Sequence, residues 1–62
     1  MDKPVCKLVG TDGNVFAVIG NVTAALKRAG LRDQATVFCD LAMKCGSYDE
    51  VLRLVCEYVT VV

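Results

Sequence analysis

The amino-acid sequence predicts a small α+β domain spanning residues 1–62: a short N-terminal strand, three helices and a short C-terminal strand. Two copies could share those strands in one dimer sheet. Three observations carry this reading. Both ends of the chain are rich in β-branched residues, in Val5-Cys6-Lys7-Leu8-Val9 and in Val59-Thr60-Val61-Val62. Between them, apolar residues recur at three- and four-residue spacing in three stretches. Gly30 and Gly46, each preceded closely by a basic residue, divide those stretches as helix stops do.

The first strand runs from Val5 to Val9 and is closed by Gly10. Gly10-Thr11-Asp12-Gly13-Asn14 then gathers residues that tolerate positive φ or bond their own backbone, which marks a tight turn. Asn14, or Asp12 before it, caps the helix that follows. From Val15 to Ala29, Phe16, Ile19, Thr23 and Leu26 form one apolar stripe, with Val15, Val18, Val22 and Ala25 forming a second beside it. Gly30 supplies the left-handed stop after Lys27 and Arg28, whose charges suit a helix C-terminus.

The second helix is expected to begin near Asp33, with Leu31 placed to staple onto its first turn. Val37, Phe38, Leu41, Ala42 and Cys45 give its buried face, and Lys44 with Gly46 closes it. Ser47-Tyr48-Asp49-Glu50 reads as a capping box, in which Ser47 accepts from the Glu50 amide while the Glu50 carboxylate reaches back. Val51, Leu54, Val55 and Tyr58 form the core face of the third helix, widened by Leu52 and Cys56. Val59 to Val62 then changes period and reads as a terminal strand.

Composition narrows the function classes. Seven Lys and Arg balance seven Asp and Glu, His is absent, and 55% of the 62 residues are hydrophobic. That hydrophobicity argues against disorder, and the neutral balance gives no basic field for nucleic acid. No apolar run reaches the roughly 18–20 residues of a membrane-spanning helix, so a soluble domain is expected. Ordering a chain this short costs on the order of 90 kcal/mol, which a single small core barely offsets, so a staple or a partner is called for.

Cys6, Cys39, Cys45 and Cys56 are the staple candidates. The polar opening Met1-Asp2-Lys3-Pro4, with no apolar secretion segment after it, favours a reducing cytoplasm and hence thiols packed as small core residues. Zinc ligands come in close Cys pairs or with His, and this chain has neither. A partner is therefore the better source of extra stability. The β-branched terminal strand would leave an edge that invites pairing, which points to a homodimer.

Lys7 to Ala17, Ala25 to Gly30 and Gly46 to Asp49 together resemble a family of small proteins from bacteria and their phages. Its most specific segment is Gly10-Thr11-Asp12-Gly13-Asn14-Val15-Phe16-Ala17, a Gly-x-Asp-Gly-Asn-x-Phe-Ala pattern. The resemblance implies a bacterial or phage cytoplasmic protein and transfers no catalytic residue.

Four constellations are weighed against simpler readings. The loop from Gly10 to Asn14 sits between strand and helix as a phosphate loop would, but Asn14 stands where Lys is needed and Asp12 would repel phosphate. A structural turn explains it, and the glycines also miss the dinucleotide-binding spacing. Residues 26–38 resemble a helix-turn-helix junction offering Arg32, Gln34 and Thr36 to bases, although the rest of that helix suits burial. Cys39 with Asp40, and Asp49 with Glu50, could be written as reactive pairs, but no His serves as a base and neighbouring helix residues diverge by about 100°. The helix from Val15 to Ala29 lacks the basic polar face of a membrane-surface helix.

The sequence thus points to a non-enzymatic protein-binding or assembly module, a homodimer that engages a second copy of itself or another protein. The alternative is a small DNA-binding regulator using residues 26–38. No catalytic, cofactor-binding or metal-ligating residue is assigned, and no cofactor, membrane or nucleic-acid partner is expected of the main reading.

Overall fold

The computed structural model describes residues 3–8 and 14–62. In chain order these form β1 (Val5–Cys6), α1 (Val15–Arg28), α2 (Arg32–Met43), α3 (Tyr48–Tyr58) and β2 (Thr60–Val61). The α+β organisation and the element order are those expected from sequence. The expected turn at Gly10 to Asn14 falls, apart from Asn14, outside the described residues.

Asn14 is the cap of α1. Its Oδ1 accepts hydrogen bonds from the amides of Phe16 at 3.0 Å and Ala17 at 3.4 Å, satisfying two N–H groups that the helix leaves without carbonyl partners. At the other end Gly30 adopts φ 80°. The Leu31 amide donates to the Leu26 carbonyl at 2.9 Å and the Gly30 amide to that of Lys27 at 3.0 Å, the paired bonds of a Schellman turn. This turn folds half-buried Leu31 onto the core beside Leu26.

The second helix starts at Arg32, one residue earlier than expected, and Leu31 caps it without a side-chain bond. Its buried residues are Ala35, Phe38 and Ala42, so the core face is rotated from the expected one. Val37 and Leu41, expected in the core, are exposed. The reason is the neighbour: α2 packs most extensively on α1, and small Ala25, Ala35 and Ala42 allow close approach there. Phe16 and Thr23 likewise fall at the flank of α1, about a third of a turn from the centre of its buried face at 100° per residue. That buried face is Val18, Ile19, Val22, Ala25 and Leu26.

On α3, Val51 and Val55 are buried and Val59 continues their stripe, whereas Cys56 faces solvent instead of widening it. The ring of fully buried Phe38 meets that of Tyr58 edge to face, with centroids 5.4 Å apart, and joins α2 to α3.

The strands pair parallel in register Val5 with Thr60 and Cys6 with Val61. Parallel pairing needs a long crossover, which the three helices supply. Among the described residues the ladder is shorter than the expected Val5–Val9 and Val59–Val62, of which Val9 lies outside them: Pro4, opposite Val59, has no N–H to extend the pairing, and the Val59 amide instead closes α3 on the Val55 carbonyl at 2.9 Å. Lys3 fastens the entry to β1, its Nζ donating to the Cys56 carbonyl at 2.7 Å near the C-terminal end of α3.

Candidate interaction surface

Large apolar side chains remain exposed on three parts of the described surface. The first is the strand ribbon. Cys6 turns into the core, Val61 beside it on the same face is 41% exposed, and Val5 on the opposite face and Val62 are exposed. Thr60 donates to the Pro4 carbonyl at 2.9 Å and Val62 to that of Cys6 at 3.1 Å. The alternation along a strand therefore directs the N–H and C=O of Val61 to the outer edge of β2, and those of Val5 to the outer edge of β1. Among the described residues neither pair of groups has a partner.

The second part is an open cleft of about 380 Å³ between the start of α1, the end of α2 and the start of α3. Phe16, Met43 and Tyr48 stand on its rim, with Phe16 67% exposed. The third is the outer face of α2, which carries Val37 and Leu41.

The residues weighed as reactive pairs have other engagements. Asp40 forms an exposed ion pair with Lys44 at 3.4 Å, and the Glu50 carboxylate accepts from the Gly46 amide at 3.1 Å. Cys39 is half-buried, and all four cysteines are unlinked. Burial raises the Cys6 thiol pKa above its ordinary value, partly offset by the positive charge of Arg28. Among the described residues no cluster of three or more His, Cys, Asp or Glu is placed to hold a metal ion, and no helix is long and apolar enough to cross a membrane.

Arg32, Gln34 and Thr36, the candidate base contacts, are all exposed on the first turns of α2, but the Thr36 hydroxyl donates back to the Arg32 carbonyl at 3.2 Å. The apolar surface at Phe16, Val37 and Leu41 is not expected from sequence, whose periodicity places these residues on the apolar faces of α1 and α2. Their breadth around each helix was the available signal, since a short helix with two neighbours cannot bury so wide a face. The chain matches no protein-family model, and neither a curated protein nor a solved structure matches it.

Proposed function

We propose that this chain is a non-enzymatic protein-interaction module that acts as a homodimer. The observation that carries the reading is the exposed apolar surface of the ribbon, where Val5, Val61 and Val62 flank backbone groups without partners among the described residues. A dimer of ordinary size takes about 800 Å² from each partner. That is on the order of a fifth of the 4197 Å² this chain exposes. The resemblance at Gly10 to Ala17 supports a bacterial or phage cytoplasmic setting as part of this reading.

Sedimentation at micromolar concentration tests it: a species of twice 6.7 kDa is expected, and a folded monomer would remove the reading. The DNA-binding alternative draws on the exposure of Arg32 and Gln34. A low-salt shift assay on random duplex separates the two, because a DNA binder shows salt-sensitive affinity even without its specific site.

A further inference from the structure

We propose that the dimer seam is the outer edge of β2, with two copies pairing antiparallel about a two-fold axis at Val61 to form one β1-β2-β2-β1 sheet. This rests on the homodimer reading above and adds which surface the second copy occupies and in what direction it runs.

The backbone geometry comes first. Bonds from Thr60 to Pro4 and from Val62 to Cys6 occupy the inner side of β2, so Val61 presents both its N–H and its C=O outward. A residue with both groups on the free edge is the type that exchanges two hydrogen bonds with its own symmetry mate in an antiparallel pair. In that register Thr60 of one protomer stands opposite Val62 of the other, and their side chains meet at the closer spacing of a pair without mutual hydrogen bonds. A two-residue, two-stranded ribbon is marginal alone, whereas four strands backed by helices form an ordinary sheet.

Charge distinguishes the two edges. The outer edge of β1 is guarded: exposed Lys7 follows Val5 closely, and exposed Lys3, its ammonium held by the Cys56 carbonyl, precedes it. Two copies pairing antiparallel about Val5 would set Lys3 of each against Lys7 of the other, a like-charge contact on both sides of the axis. Lysines at such positions keep an edge from pairing. The side chains of Thr60, Val61 and Val62 carry no charge, and Val61 and Val62 are exposed, so these three residues offer no lysine guard. Pairing β2 of one copy on β1 of the next would leave a further edge free at each step and build a filament, whereas β2 on β2 closes with two chains.

Val61→Pro tests the seam. Proline removes the outward N–H, and the bonds inside the protomer survive because they use Thr60 and Val62. Thr60, which then precedes proline, already has the extended backbone such a residue prefers. Val5→Pro removes the equivalent outward N–H on the guarded edge and serves as the control.

By sedimentation, with folding followed by circular dichroism, wild type and Val5→Pro are expected to dimerise. Folded Val61→Pro should show a Kd raised roughly tenfold or more. In wild type the Val61 amide should exchange hydrogen more slowly as protein concentration rises. A folded Val61→Pro variant that dimerises like wild type overturns the seam and leaves the homodimer reading standing. A wild type that remains monomeric overturns both. If Val61→Pro does not fold, exchange decides: an unprotected Val61 amide in the wild-type dimer overturns the seam, and a protected one supports it.

Discussion

The Glu50 carboxylate accepts a hydrogen bond from the backbone N–H of Gly46 at 3.1 Å, reaching one residue further back than a standard capping box requires. The reciprocal arm is the expected one, the Ser47 hydroxyl accepting from the Glu50 amide at 3.2 Å. The two bonds clasp the turn between α2 and α3 from both sides. Ser47→Ala should therefore cost about 0.5–2 kcal/mol in urea unfolding, with Ser47→Thr nearly neutral. Glu50→Gln keeps an oxygen acceptor and should lose less than Glu50→Ala. Equal midpoints for wild type and Ser47→Ala would mean that the bond contributes nothing to α3.

Two exposed glycines should respond in opposite directions to alanine. Gly30 holds φ 80° in the Schellman turn, where a side chain strains the backbone although a Cβ would touch nothing within 4 Å. Gly30→Ala should cost about 1–2 kcal/mol, and Gly30→Asn less. Gly20 lies inside α1, also with no atom within 4 Å of an added Cβ. Gly20→Ala should stabilise by about 0.5–1 kcal/mol, through helix propensity and a less flexible unfolded chain. Thermal melts of the two variants on opposite sides of wild type would confirm the assignment.

These caps mark where sequence is most legible. Asn14, Gly30 and Ser47 each act on backbone groups a few residues away, so local order alone specifies them. The rotation of α2 is not local. Periodicity does not single out Ala35 and puts Val37 and Leu41 inside, because it gives the width of an apolar face but not which part of it a neighbour covers. The parallel sense and short length of the ribbon are hidden for a related reason: both depend on how three packed helices bring Thr60 beside Val5, at the far end of the chain. The candidate surface was legible in Val61 and Val62, whose β-branched, uncharged character marks an edge wherever the strand lies, and illegible at Phe16.

The two phenylalanines make the distinction between core and surface measurable. Phe38 is fully buried against Tyr58, and Phe38→Ala should cost about 3–5 kcal/mol, enough to unfold so small a domain at ambient temperature. Phe38→Leu keeps most of the volume and should lose much less. Phe16→Ala removes a ring that is 67% exposed and should move stability by about 0.5 kcal/mol or less. A large loss at Phe16, seen in the same denaturant titration, would place that ring in a covered environment.

The cysteines should separate by reactivity. Titration of denatured protein prepared without reductant, alkylated to block exchange, should find four free thiols, since all four are unlinked. In the native protein exposed Cys56 should alkylate first and buried Cys6 last. Burial raises the Cys6 pKa above 9.0, so the folded state holds that proton more tightly than the unfolded state. The sign of the linkage follows. The Cys6 contribution to stability is complete below pH 9.0 and is lost as pH rises through the folded value, because only the unfolded chain gains a freely solvated thiolate. Wild type should thus lose more stability between neutral and alkaline pH than Cys6→Ala, measured as the change in urea midpoint. Parallel alkaline losses in the two proteins would show that the thiol is no less hydrated in the fold than out of it.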